Sequence, residues 1–205
     1  MSIAEKLVTV AENVPKVYDK GVADGQQSEY DRFWDAYQEE GNRKTYQYAF
    51  YHQGWDENTF QPKYDIVCDG SYTSNSAFAH SRITEIPVTL DFSKCATELS
   101  SVFANCIRLK SIKKVIFSET NTFYNPFVSC TALENITVEG TIGNSISFQW
   151  SPLTHESLMS ILNALQDKSA DTSGTVWSLT LGPTNCAKLS DEEMTVATAK
   201  GWVVN

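Results

Sequence analysis

Chemistry in this chain would have to come from three histidines, five cysteines, 25 carboxylates and a set of large aromatics. His52, His80 and His155 are isolated, with no His-x-x-x-His pair and no acid at ligand spacing, so no metal site is expected. Asp65, Asp69 and Asp91 carry the hard oxygens calcium takes, but no calcium loop frames them. Glu39-Glu40 and Glu192-Glu193 sit in helix-end contexts, which suits solvated charges better than a glycosidase pair. No Gly-x-Ser-x-Gly, phosphate loop or dinucleotide fingerprint occurs. The expectation is a protein that is not an enzyme, with no catalytic residue, cofactor or metal. Unassigned carboxylates are all that would motivate a hydrolase. Aromatic rings remain: Tyr51, Trp55 and Trp150 are the candidate contacts for a partner or for a sugar ring.

The cysteines lead to the elements. Cys68, Cys95, Cys106, Cys130 and Cys186 form an odd set with no Cys-x-x-Cys, unlike the even, denser set of a secreted disulfide scaffold. Two of them belong to a repeat. Phe103-Ala-Asn-Cys106-Ile-Arg-Leu109-Lys-Ser-Ile112 returns 24 residues later as Phe127-Val-Ser-Cys130-Thr-Ala-Leu133-Glu-Asn-Ile136. A looser copy lies 25 residues upstream at Phe78, Ser81, Ile83 and Ile86. Apolar positions fixed at such a period mark stacked units, each covering the open face of the last. Phe103 and Phe127, Leu109 and Leu133, and Ile112 and Ile136 should form buried ladders, with Cys106 and Cys130 as reduced thiols in adjacent units. Between the copies Val88, Leu90 and Phe92 alternate, as do Val115 and Phe117, Ile136 and Val138, and Ile146, Phe148 and Trp150. That period of two predicts short strands with one buried face, joined by tight helical or irregular returns.

Both flanks read differently. Residues 1–45 form a predicted helical arm that opens on the capping box Ser2-x-x-Glu5. Ile3, Leu7, Val10, Val14 and Val17 make a heptad-like seam, a candidate for self-association, and a second stretch aligns Tyr30, Phe33, Trp34 and Tyr37. That second face could dock on the repeats as a cap or join a bundle. The aromatics from Tyr46 to Trp55 could cover the first open unit or stack on sugars. Repeats occupy about 76–150 of a domain spanning 46–205, and 151–205 reads as its cap. There Ser151-Pro152 offers a helix start, and Leu158, Ile161, Leu162 and Leu165 give one apolar face. Trp177, Leu179 and Leu181 alternate as a strand, and Gly182-Pro183 turns the chain. Ser190-x-x-Glu193 is a second capping box, its helix ends at Lys200-Gly201, and Trp202 begins a last strand.

The net charge of −9 argues against a nucleic-acid partner, which needs a basic face. No run approaches the ~18 apolar residues of a membrane span, and charges interrupt the N-terminus where a signal peptide would be apolar.

The unit Phe-x-x-Cys-x-x-Leu-x-x-Ile resembles the BspA-type leucine-rich repeat. The run from Leu179 to Glu193 resembles the closing unit of such proteins. The leader segments Ser2–Tyr18 and Tyr30–Gln38 resemble leaders on repeat proteins encoded in phages and prophages of gut Firmicutes. The resemblance implies an α/β fold: a short leucine-rich-repeat solenoid, a right-handed β-α superhelix with a helical arm and a helix-containing cap. It implies a non-enzymatic structural or recognition protein of the virion, tail-associated as fibre, baseplate or host-adhesion protein. Its partners would be other virion proteins or a host surface, protein or glycan, and it would be a homo-oligomer, a trimer if it builds a fibre or spike. The alternative is a carbohydrate-binding or adhesion module of a bacterial protein, with the bacterial cytoplasm as the other location.

Overall fold

The computed structural model describes Pro62 and residues 65–68, 76–95 and 98–205. These all fall in the second of two compact units into which the chain divides, Arg43–Asn205. The helical arm with its seam Ile3, Leu7, Val10, Val14 and Val17, and also Tyr51, Trp55 and Asp69, lie outside the described residues.

In chain order the strands begin with β1 (Ile66–Val67), β2 (Glu85–Asp91), β3 (Leu99–Ser100), β4 (Ser111–Phe117) and β5 (Phe123–Tyr124). Next come β6 (Asn135–Gly140), β7 (Ile146–Ser147) and helix α1 (His155–Ala164). After them run β8 (Trp177–Thr180), α2 (Pro183–Cys186), α3 (Asp191–Ala199) and β9 (Trp202–Val204). They assemble into sheets β1-β2-β4-β6, β3-β5 and β7-β8-β9, and every named strand pair is parallel. Helices and parallel strands together make an α/β fold, with all three described helices after residue 150.

Register follows the sequence repeat: Ile86 pairs with Ile112, and Ile112 with Ile136. Alternation buries Ile86, Val88 and Leu90 of β2, Val115 and Phe117 of β4, and Ile136 and Val138 of β6. Opposite these strands Phe78, Phe103, Phe127 and Phe148 stack in one column, with ring centroids 5.3, 5.1 and 4.6 Å apart. Such contacts contribute roughly 0.5–1.5 kcal/mol each beyond the burial of the rings. Leu109 and Leu133 are fully buried as well.

The returns between strands are irregular, without helix. In each of the first three copies the residues two before and two after the phenylalanine take positive φ: Ser76 and His80, Ser101 and Asn105, Asn125 and Ser129. Short polar side chains tolerate this left-handed region better than branched ones do. The bent backbone then bonds to the next copy: the N–H of Phe78 donates to Val102, that of Phe103 to Pro126 and that of Asn105 to Val128, each at 2.8 Å. At the end of β6, Gly140 has φ +75, and a Cβ there would lie 2.0 Å from the Phe117 carbonyl oxygen. Only glycine fits.

Beyond β6 the neighbour is α1. Its N-cap is Thr154, which accepts from the Ser157 N–H, and the helix starts at His155. Ser151-Pro152 is therefore not the helix start. Phe148-x-x-Ser151 is a fourth copy of the phenylalanine motif, and Ser151 is buried beneath it. Trp150 departs from the expected alternation: β7 ends at Ser147, Phe148 is the last inward ring, and Trp150 is 53% exposed. Leu158, Ile161, Leu162 and Leu165 are buried, as their spacing predicts. Gly182-Pro183 opens the short helix α2 where a plain turn was expected. The capping box of α3 forms in both directions between Ser190 and Glu193. Lys200 reaches back to the last carbonyls of α1, donating to Leu162 at 3.1 Å and Asn163 at 3.0 Å.

Candidate functional surface

The outward side of β2, β4 and β6 carries the residues that alternate with the core. Glu85 and Pro87 are exposed on β2, Lys113 on β4, and Asn135, Thr137 and Glu139 on β6. Register aligns them in rows: Glu85 beside Ser111 beside Asn135, and Asp91 beside Ile116 beside Glu139. Parallel strands lie ~4.8 Å apart, so these rows hold side chains at fixed spacing. An ion pair, Lys114 Nζ to Glu139 Oε1 at 2.7 Å, crosses from β4 to β6. The face mixes both charge signs with small polar groups. Such a surface can meet a protein or a polar ligand, and no proton-transfer pair stands out on it.

Trp150 is the one candidate contact within the described residues, and its half-exposed ring lies just past the phenylalanine column. Tyr51 and Trp55 lie outside them. Of the two described histidines, His155 has its Nε2 2.7 Å from Glu193 Oε1, and His80 has its Nε2 3.4 Å from Asn105 Nδ2. Asp65 accepts the Thr89 N–H at 2.7 Å and Asp91 accepts the Ser93 N–H at 2.9 Å, so each carboxylate shapes backbone. Among the described residues no group of three or more His, Cys, Asp or Glu could hold a metal ion. None of the described helices is long and apolar enough to cross a membrane.

Cys106 and Cys130 are free and buried in adjacent copies, as expected. Each thiol donates to a backbone carbonyl, Cys106 to Phe78 at 2.9 Å and Cys130 to Phe103 at 3.0 Å. Burial pushes the Cys106 thiol up to about 11, opposed in part by its Ser81 hydrogen bonds. The Cys130 thiol is also raised by burial, with Cys106 beside it adding to the effect. Both are inert as nucleophiles. Ser151 holds the same place in the fourth copy, and its hydroxyl is buried without a hydrogen-bond partner.

Sequence reasoning missed three sets of residues. Cys68 and Cys95 form a disulfide, a pairing hidden because the two sit at different offsets from their strands. Asn121 is fully buried: its amide donates to Phe92 O at 3.2 Å, and its oxygen accepts the Ser118 N–H at 2.8 Å. Asn144 Nδ2 donates to Asn121 O at 2.8 Å, and Asn185 Nδ2 to Ser151 O at 2.7 Å. Asn121 and Asn144 each stand four residues beyond the end of a strand, Phe117 of β4 and Gly140 of β6, and that shared offset was the available signal. The third set is Ser157 and Ser160, whose hydroxyls accept the N–H groups of Ile136 at 2.9 Å and Val138 at 3.1 Å.

Compared with protein-family models, with curated proteins and with solved structures, the chain matches none.

Proposed function

We propose that this chain is a non-enzymatic structural or recognition protein of a phage particle, tail-associated, that binds its partner through the repeat surface. In this reading residues 46–205 form a short BspA-type leucine-rich-repeat solenoid, a right-handed β-α superhelix, with repeats at about 76–150 and a cap at 151–205. The arm, residues 1–45, precedes it and its seam joins copies of the chain, as a trimer in a fibre or spike. The observation that carries the reading is the parallel pairing of Ile86 with Ile112 and of Ile112 with Ile136, which, with one register shift beyond each pair, arrays the exposed residues of three strands on one face. A rigid array of that kind suits recognition of a protein or host surface. A disulfide also suits a particle that works outside the reducing cytoplasm.

The test is mass spectrometry of purified particles together with binding of the full-length protein to host cells. Recovery in the particle, with cell binding lost on reversing the charges of Lys113 and Glu139, supports the proposal. Absence from particles sinks it. Light scattering on the full chain checks the oligomer, and a monomer mass rejects it.

The exposed ring of Trp150 favours the second reading, a carbohydrate-binding or adhesion module. Tryptophan fluorescence titrated with host-wall glycans should shift, and W150A should abolish the shift. A flat response across a broad panel counts against it.

A further inference from the structure

The seam between the third and fourth copies of the phenylalanine motif is bonded unlike the two seams before it. In the first, the N–H groups of Ser76, Phe78 and His80 donate to Ser100, Val102 and Ala104, each at 2.8 Å. In the second, Ser101, Phe103 and Asn105 donate to Tyr124, Pro126 and Val128, again each at 2.8 Å. Asn125, Phe127 and Ser129 hold the same places in the third copy, and among the described residues no acceptor takes their N–H groups. The fourth copy bonds onward instead, its Phe148 N–H donating to Thr180 O at 2.8 Å. A side chain repeats the difference. Cys106 and Cys130 donate back to Phe78 O and Phe103 O, whereas the Ser151 hydroxyl, at the same offset, is buried without a partner. Phe127 and Phe148 still stack at 4.6 Å, so the copies touch through their rings while their backbones stay unbonded. Polar groups left without partners mark a place that a further molecule can complete.

The third and fourth copies each carry an exposed aromatic ring, Tyr124 at 59% and Trp150 at 53%. Trp150 lies two residues past its phenylalanine, the offset of Asn105 and Ser129. Side chains at that offset are neighbours, since His80 Nε2 and Asn105 Nδ2 lie 3.4 Å apart. Asn125 is exposed and Ser129 half-buried. Charge is missing from both sides: residues 120–133 and 140–154 contain no Asp, Glu, Lys, Arg or His, in a chain where 20% of residues are charged. An ionic ligand finds no counter-charge here, whereas a ligand with hydroxyls and an apolar ring face finds N–H donors and aromatic rings. We propose that this seam is the binding site for a neutral sugar, whose ring stacks on Trp150 while its hydroxyl oxygens accept the Asn125 and Ser129 N–H groups. Tyr124 flanks the next unit of an oligosaccharide. The site rests on the carbohydrate reading of Trp150 and adds to it the donors, the second ring and the neutrality of the ligand.

The test screens the full-length protein by tryptophan fluorescence against neutral oligosaccharides, cellotetraose and the N-acetylglucosamine tetramer among them. The sugar that binds is then titrated into isotope-labelled protein and followed by amide chemical shifts. The Asn125 and Ser129 amides should move, and those of Val115 and Val138 in the main sheet should not. Tyr124→Ala should weaken binding at least about fivefold and, the ring being exposed, leave the urea midpoint unchanged. Raising sodium chloride to about 0.5 M should change affinity by less than about twofold, since no charge takes part. A flat response across the panel overturns the site together with the carbohydrate reading. A Trp150-dependent fluorescence shift that leaves both amides unmoved, or Y124A binding as well as the parent, overturns the site alone. So does tighter binding of a phosphate-bearing wall polymer that weakens with salt.

Discussion

Between β2 and β6 each strand edge is covered by a near-copy of itself, whereas at β6 the cover is helix α1. In the first region the contacts recur: phenylalanine on phenylalanine, isoleucine beside isoleucine, strand bonded to strand. In the second, beside the buried apolar face of α1, the strand-to-strand bonds give way to single polar contacts. The hydroxyls of Ser157 and Ser160 take the N–H groups of Ile136 and Val138, and the Thr154 N–H donates to Glu134 O at 2.8 Å. A helix cannot offer an extended row of carbonyls to a strand, because its own are used along its axis. Side-chain oxygens spaced one turn apart stand in for them. Repetition therefore places its stability in columns of apolar side chains, and termination adds a few satisfied bonds to the apolar face of one helix.

The largest effect should come from breaking a column. Phe127 lies between Phe103 at 5.1 Å and Phe148 at 4.6 Å and is 1% exposed. Phe127→Ala should cost about 3–5 kcal/mol. Because each copy is stable only against its neighbours, urea denaturation should show one early transition for strands and thiol burial alike. A change confined to one copy would mean that the copies are not coupled.

Next comes the terminating contact. Ser157→Ala removes the acceptor for the Ile136 N–H at a site where the serine is itself buried. The orphaned donor should cost about 1–3 kcal/mol, read as a lower urea midpoint and faster exchange at the Ile136 amide. Alanine is a good helix former, so α1 itself should not suffer. If the variant is as stable as the parent, the hydroxyl does not replace a strand.

The two regions also differ in how far their residues declare themselves. Phe103 and Phe127, or Ile112 and Ile136, are legible because apolar types recur at a fixed interval, and the sheet registers reproduce that interval. The fourth copy escaped because Thr154 and Ser157 stand at the offsets that Leu109 and Ile112 hold in the second copy, and α1 begins at His155. Ser157 and Ser160 escaped for a different reason. On a helix they read as polar-face residues, and their partners are backbone amides of another element. Cys68 and Cys95 do not share a repeat offset, so only three-dimensional proximity pairs them. Of the candidate contacts, Trp150 was named for the chemistry of its ring, while its exposure contradicts the alternation that should have buried it.

A third, smaller effect belongs to the terminating region and depends on pH. Glu193 accepts the Ser190 N–H and pairs with His155, and these contacts hold its carboxyl below its ordinary 4.5, the Ser190 backbone bond being the larger cause. A carboxyl lowered on folding stabilises the fold above its ordinary value, and that contribution is lost as pH falls through the lowered one. Urea midpoints measured from about pH 6 to about pH 3 should therefore fall less steeply for Glu193→Gln than for the parent, since glutamine keeps the capping geometry without titrating. Parallel acid limbs would remove Glu193 from the acid response.

The smallest effect should appear in the repeated region, at positions the columns skip. Lys110 and Glu134 hold equivalent places in neighbouring copies, each one residue past a buried leucine, and both side chains are exposed. What matters there is backbone: the Lys110 N–H donates to Thr84 O at 2.7 Å, and Lys110 O accepts from Glu134 at 3.0 Å and Asn135 at 3.1 Å. Alanine preserves every one of these bonds. Lys110→Ala and Glu134→Ala should each change stability by no more than about 0.5 kcal/mol, well below the loss at Phe127. A ranking in which Lys110→Ala outweighs Phe127→Ala would mean that the bonds between copies depend on charged side chains, and the apolar columns could no longer be what holds the repeats in register.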